Sequence, residues 1–412
     1  MRTKIFYGWF IVAVCMLMVF GASLVTTGLS VGLRALRDDM GFSGTQTSII
    51  FTICGVVAFI SIFFADVYFK KLGLRLGMFI GVACGAIDFL IYSLAGSNFY
   101  VYCLGSVFGG IDYGLCFMLS TSMIMRRWFN DKRALALALC SAGSGLSILV
   151  GTPVLELIIE NVSLQMSFIV EAVFMASVSL LILIIVRNDP SEMGMEPLGG
   201  KDFLIAHKVT GKYHITGKAI TLLFLAATFG GLSGSPATSN FALNFTNVGL
   251  NATTVAFGIS LFGLMLLISK LLFGEMVDKK GAYFSTMLFG MFIVVGQLGC
   301  FFVGTLTEYW FMFLTLAIMG VGYPIITLGY PNWSADFTDK DEYPSALKKL
   351  QLGYQLGIMA GSPLPGLIAD ATGSFTWAYL MFAILLSMFV LFVFLAYHTA
   401  KERTDVDVGI TN

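Results

Sequence analysis

Apolar runs, each about as long as a membrane-crossing helix, follow one another from residue 7 to residue 397. Crossing a hydrocarbon core takes about 20 mostly apolar helical residues. Twelve runs meet that length, at roughly 7–33, 46–69, 76–96, 99–125, 134–158, 165–186, 219–243, 252–275, 283–304, 308–330, 345–370 and 375–397. One connection is long. It covers about 187–218, RNDPSEMGMEPLGGKDFLIAHKVTGKYHITGK, and is polar, with Pro and Gly near its start. It divides the spans six and six. The pattern predicts an all-α membrane protein with an N-terminal six-helix bundle over 1–186, a linker over 187–218, a C-terminal six-helix bundle over 219–400 and a tail over 401–412.

Composition agrees with this pattern. Of 412 residues, 57% are hydrophobic and 12% charged, with a mean hydropathy of +0.87. A soluble chain carries about a quarter charged residues. The formal net charge is zero, so no basic field points to a nucleic-acid partner. The seven cysteines all lie in apolar runs, without CxxC or zinc spacing, and nothing beside the three histidines resembles a ligand set. No metal or other cofactor is expected, and no nucleophile–base constellation or phosphate loop suggests an enzyme. The start, MRTKIFYGWFIVAV, has the basic opening of a signal peptide. Its apolar run continues to about Leu33 with no small-residue cleavage site, which marks a retained first span.

Charge sets the expected orientation. With the N-terminus in the cytoplasm, all of the 24 Lys and Arg residues fall on the cytoplasmic side except Arg34, Arg37 and Lys270. An even number of spans returns the C-terminus to that side. The expected location is the plasma (inner) membrane, crossed many times.

The halves repeat. Span five carries Gly143, Ser147, Gly151 and Pro153, and span eleven carries Gly353, Gly357, Gly361 and Pro363, each pair 210 apart. Small residues four apart let helix backbones approach closely. The shared offset points to two homologous halves in parallel orientation, related by an axis along the membrane normal. A second repeat lies in the turns after spans two and eight. GEMVDKKG (274–281), shifted back by 208, falls on DVYFKKLG (66–73).

GEMVDKKG resembles the G-x-x-x-D-[RK]-x-G signature of the major facilitator superfamily. Gly274, Asp278, Lys279 and Gly281 match it position by position. In the first half Lys71, Gly73 and Arg75 match, but Lys70 replaces the family's Asp and Asp66 its Gly. FYGW (6–9), GFSGTQTS (41–48), RRWFNDKRALAL (126–137), DPSEMGMEPLG (189–199) and GSPLPGLIADATGSF (361–375) resemble landmarks of the oxalate–formate antiporter and monocarboxylate transporter branch. The resemblance covers nearly the whole chain. It implies twelve helices in two pseudo-symmetric bundles, with spans one, four, seven and ten around a central cavity, and gating by the two motif turns.

An ionisable group at mid-bilayer costs about 2.5–3.5 kcal/mol on insertion scales. Asp112, at the midpoint of span four, is the candidate wet cavity carboxylate, and the alternative is a protonated Asp hydrogen-bonded to a neighbouring helix. The resembled branch carries a carboxylate-binding Arg where span eight has Lys270. The alternative is a lysine snorkelling to the near end of its span. Asp88 and Glu171, in spans three and six, are read as structural hydrogen-bond formers or interfacial groups. Thr26, Thr27, Ser30, Asn240, Asn244, Tyr323, Gln351 and Gln355 are polar candidates along the path.

The resulting expectation is a monomeric secondary transporter in the lipid bilayer, moving a small organic anion, a mono- or dicarboxylate, by alternating access. Proton symport and anion exchange both remain open. Lys270 would meet the anion, with Tyr323 and Gln355 as further contacts, and Asp112 would carry the proton or pair with Lys270. An exporter of apolar or cationic compounds is the alternative. A non-transporting sensor of this fold would carry a cytoplasmic domain larger than the connections seen here.

Overall fold

The computed structural model describes residues 6–38, 40–42, 44–200, 212–214 and 216–400. The rest of the linker call, 201–211 and 215, and the tail call, 401–412, lie outside the described residues. Among those described, no strand forms, and Phe129 and Leu198 pair in an isolated bridge.

Apolar residues without an aqueous partner for their backbone must satisfy it within helices, and the chain does so. We number the spans α1 (Gly8–Asp38), α2 (44–72), α3 (74–94), α4 (Phe99–Trp128), α5 (Arg133–Asn161), α6 (Leu164–Ile185), α7 (Gly217–Ser239), α8 (Ala252–Lys280), α9 (Ala282–Leu306), α10 (Tyr309–Phe337), α11 (343–372) and α12 (Thr376–Thr399). Among the described residues, ten stretches are long and apolar enough to cross a membrane. One of them, Ile49–Leu94, is α2 and α3 meeting at a non-helical Gly73, and the less apolar α11 completes the expected set.

The chain forms two compact units. One comprises Met1–Asn130 with Leu139–Leu198, and the other Asp131–Ala138 with Gly199–Asn412. The opening turns of α5 thus group with the second unit. Each unit shows the same internal contacts. In the first, Gly143 of α5 abuts Met16 O of α1; in the second, Gly353 of α11 abuts Phe224 O of α7. A Cβ on Gly110 of α4 would stand 2.6 Å from Cys54 O of α2, and one on Gly320 of α10 would stand 2.7 Å from Phe262 O of α8. In these equivalent pairs the glycines are displaced by 210 (143→353 and 110→320) and the carbonyls they meet by 208 (16→224 and 54→262). The small-residue stripes are therefore helix-packing surfaces.

The motif turns repeat down to backbone angles. Gly73 has φ 74° and ψ 168°, and Gly281 has φ 86° and ψ 162°. Residues with a Cβ rarely adopt this region. At the Gly-Thr-Pro of α5, the Thr152 N–H bonds to Ser147 O five residues back, one widened turn that absorbs the residue between Gly151 and Pro153.

Gly281→Ala should lower the stability of the purified protein by about 1–3 kcal/mol, because the strain is in the backbone and its Cβ would touch nothing. Gly366→Ala, also in open space but with ordinary helical angles, should shift stability by no more than about 1 kcal/mol. Thermal unfolding in detergent checks both. Equal losses would contradict the assignment.

Candidate functional site

Lys270 lies on α8 and is only 1% exposed. The preceding residue fixes its helix: Ser269 Oγ donates to Gly320 O of α10 at 2.8 Å, where Gly320 lets the two backbones close up. A snorkelling lysine would leave its ammonium accessible, so this burial removes that reading. Tyr323 marks the break in α10 ahead of Pro324. It is 8% exposed, packs edge-on to Phe262 of α8 at 5.4 Å, and turns its hydroxyl to Thr238 of α7. Gln355 and Gln351 are buried on α11, beside a Tyr330–Tyr354 stack at 5.6 Å.

Several polar candidates serve the helices themselves. Asn240 Nδ2 donates to Pro236 O, and Asn244 Nδ2 to Cys300 O. Thr26 Oγ1 donates to Ser23 O. The side chains of Thr27 and Ser30 lie outside the described residues.

The second-half motif has a defined structural role. Asp278 accepts from the N–H groups of Ala134 at 2.9 Å and Leu135 at 2.8 Å. These are the second and third residues of α5, where helix donors lack intrahelical partners. Lys132, just before the helix with φ 54°, has no acceptor to cap them, so Asp278 caps α5 from α8. Gly274 makes this possible, since a Cβ there would stand 2.5 Å from Ala138 Cβ and 2.7 Å from Ala134 O. Lys279 is exposed and pairs with Glu275 one turn back at 2.6 Å.

The first-half motif works differently. Lys70 and Lys71 are exposed, and Asp66 lies one turn before Lys70. Position 344, which is 210 after Ala134, is Pro344 and has no N–H to offer. The acid of the first-half motif and the amide equivalent to Ala134 are thus absent together. Arg75 ties the motif to α6 and the start of the central loop. Its N–H donates to Asn188 Oδ1 at 2.9 Å, and its guanidinium caps Leu183 O at the end of α6 through Nε at 3.0 Å and through Nη2.

Three landmarks that read as separate in the sequence form one aromatic base. Phe6 and Tyr7 pack on Trp128, with ring centroids 6.0 and 5.8 Å away, and Trp9 packs on Phe129 at 5.0 Å. Trp128 Nε1 donates to Arg187 O, and the Leu198 N–H to Trp128 O. FYGW, RRWF and the start of the central loop hold one another.

Asp112 departs from the wet-cavity expectation. It is fully buried and turned onto α3, its Oδ2 lying 2.8 Å from where a Cβ on Gly85 would stand. Asp88 is the mirror case, on α3 and turned onto Gly109 of α4. Glu171 of α6, 1% exposed, lies within electrostatic reach of Asp88. No hydrogen bond of ordinary geometry reaches an oxygen of the three carboxyls, and the Tyr92 hydroxyl lies against Asp88 and the Cys116 thiol against Asp112. A signal for the pairing was present. Spans three and four carry the same pattern, GAIDF (85–89) and GGIDY (109–113), with Gly three residues before Asp on two antiparallel helices.

Twelve helices built twice, with a buried lysine in one half and buried acids in the other, make a polytopic α-helical membrane architecture. Sequence comparison gives the family: a Major Facilitator Superfamily profile matches residues 13–245 and 223–409, and the chain belongs to that superfamily. It is therefore a multi-pass membrane transporter and not an enzyme. Similar proteins include the rat (Rattus norvegicus) monocarboxylate transporter 12, 22% identical over 97% of this chain and 87% of the relative. The oxalate:formate antiporter of Oxalobacter formigenes is 24% identical over 91% of this chain and 88% of its own. Among solved structures, the transporter FucP in its outward conformation superposes with a TM-score of 0.70 at 13% identity, covering 93% of this chain and 98% of that one. The human organic anion transporter MFSD10 gives 0.67 at 15% identity, covering 94% and 99%. At these identities the superpositions establish the fold.

Asp278→Ala should speed hydrogen exchange at the Ala134 and Leu135 amides and lower stability by about 0.5–2 kcal/mol. Lys70→Ala should leave those amides as they are. Unchanged protection in Asp278→Ala would contradict the cap.

Proposed function

We propose that the protein is a secondary active transporter of a small organic anion, a mono- or dicarboxylate. It works as a monomer in the plasma (inner) membrane with both termini in the cytoplasm. The bundles 1–186 and 219–400, joined by 187–218, alternate access to the substrate. One observation carries the reading: Lys270 is a basic residue sealed inside an apolar helix, in a chain whose relatives are named for monocarboxylates and for oxalate and formate.

An ammonium shielded from water binds a carboxylate through charge-assisted hydrogen bonds, which are stronger there than in water. A lysine presents a point charge with three donors, where an arginine would present a planar fork, and so tolerates more than one carboxylate geometry. Tyr323 and Gln355 supply neutral hydrogen-bonding groups. Asp112 carries the coupling proton.

Gating follows from the motif turns. Gly274, Asp278, Lys279 and Gly281 form the stronger gate, because Asp278 has amides to hold. Asp66, Lys70, Lys71, Gly73 and Arg75 form the weaker one. Asp278→Asn should alter transport more than Asp66→Asn does, and the reverse order would overturn this ranking.

The direct test is uptake of labelled monocarboxylates and dicarboxylates into proteoliposomes. Lys270→Gln should reduce it at least about tenfold, since truncating one partner of a buried charge pair costs about 2–5 kcal/mol. Asp112→Asn should abolish its dependence on a pH gradient. Transport unchanged in both variants would refute the reading. Uptake of apolar cations in place of acids would favour an exporter.

A further inference from the structure

We infer that the first half contains a proton-binding site built from Asp88, Asp112 and Glu171 at the crossing of α3, α4 and α6. It rests on the transport reading only for what the proton drives, because proton binding itself can be read without any substrate.

The crossing of α3 and α4 is a series of small-against-large pairs. Tyr92 faces Gly105, Asp88 faces Gly109, Gly85 faces Asp112 and Gly81 faces Cys116. Each aspartate occupies the groove left by the other helix's glycine. Glu171 joins from α6 at the same level. On its helix Phe168 packs against Tyr92 at 5.3 Å, and Met175 Cε comes within 2.5 Å of where a Gly85 Cβ would stand.

The second half makes the same crossing without a charge. Asp88 and Gly85 correspond at an offset of 208 to Gly296 and Ile293, and Asp112 and Gly109 at 210 to Gly322 and Met319. A Cβ on Gly296 would meet Met319 at 2.6 Å, and one on Gly322 would crowd Ile293. Ile and Met thus fill the grooves that the two carboxyls fill in the first half. Packing does not require the acids.

Hydrogen bonding does not account for them either. All three are at least 99% buried, and no hydrogen bond of ordinary geometry reaches their six carboxyl oxygens, with only the Tyr92 hydroxyl against Asp88 and the Cys116 thiol against Asp112. An orphaned buried polar group costs about 1–3 kcal/mol, and a charged one more. The groups that face them are Cys54 from α2, Cys84 and Tyr92 from α3 and Cys116 from α4, with apolar Val25 from α1. Thiols and phenols are ordinarily neutral near pH 7. No lysine or arginine is among these facing groups. Carboxyls this close and this dry cannot all be ionised, so the site holds protons and releases them when it is wetted. Among the described residues no group of three or more His, Cys, Asp and Glu is placed to hold a metal ion. Beyond Asp88, the Tyr92 hydroxyl and Ser106 Oγ, 2.8 Å apart, continue the polar line along the hairpin.

The experiment is pH-difference infrared spectroscopy of the full-length protein in lipid, reading the carbonyl stretch of protonated carboxyls. The wild type should show this band at neutral pH. Asp88→Asn, Asp112→Asn and Glu171→Gln should each remove a share of it. Two double variants copy the second half and preserve the packing: Gly85→Ile with Asp112→Gly, and Asp88→Gly with Gly109→Met. They should fold, by circular dichroism, and still lose their shares of the band. A wild type without the band, or double variants that keep it whole, would overturn the proposal. So would a band that Na⁺ removes saturably at fixed pH, since the site would then bind a metal cation. If the infrared result holds and no carboxylate is transported, the substrate reading fails and the proton site stands.

Discussion

Helix backbones in this protein approach so closely that a single methyl group would collide. That constraint governs both halves. With no water to satisfy the peptide groups of a span, each helix is a closed cylinder, and cylinders pack tightly only where side chains are absent. Gly143 against Met16 O, Gly353 against Phe224 O, Gly110 against Cys54 O and Gly320 against Phe262 O are such places. They fix the registers, and the registers decide which side chains are shut inside. The same glycines that look like ordinary packing therefore place the candidate groups: Gly320 settles α10 beside Ser269 and Lys270, while Gly85 and Gly109 house the two aspartates.

The duplicated frame makes departures from symmetry informative. A position that differs between halves while its surroundings stay equivalent is free of the packing constraint. Two such differences stand out. The interior of the first half carries three acids where the corresponding crossing of the second half is filled by apolar side chains. The second-half motif keeps Asp278 and the α5 amides that it caps, while the first-half motif has lost the acid at Lys70, and Pro344 replaces the equivalent amide.

Much of this was legible in the sequence. Twelve spans, the six-and-six division and the repeat follow from apolar run length and fixed offsets, since burial in lipid writes itself plainly into composition. The matching conformations of Gly73 and Gly281 follow from the motif shift. Lys270 and Asp112 are visible as charges where charge is costly. Asp88 and Glu171 were less visible, because assigning each helix to the centre or the edge of a bundle says nothing about which face a residue presents. The repeated Gly-x-Ile-Asp pattern carried that information, but only once the antiparallel register brought each glycine opposite the other aspartate. The union of FYGW, RRWF and the central loop depends on long-range packing, for which local pattern gives no distance.

The proposed reading is of a transporter that separates its chemistry: protons held among carboxyls of the first half, an anion met by a lysine of the second. Calorimetric titration of the anion into purified protein, repeated in buffers of different ionisation enthalpy, measures the protons taken up per anion bound. The account predicts an observed enthalpy that changes with the buffer in the direction of proton uptake, and loss of that dependence when Asp88, Asp112 and Glu171 are neutralised together. Binding whose enthalpy is the same in every buffer would contradict it.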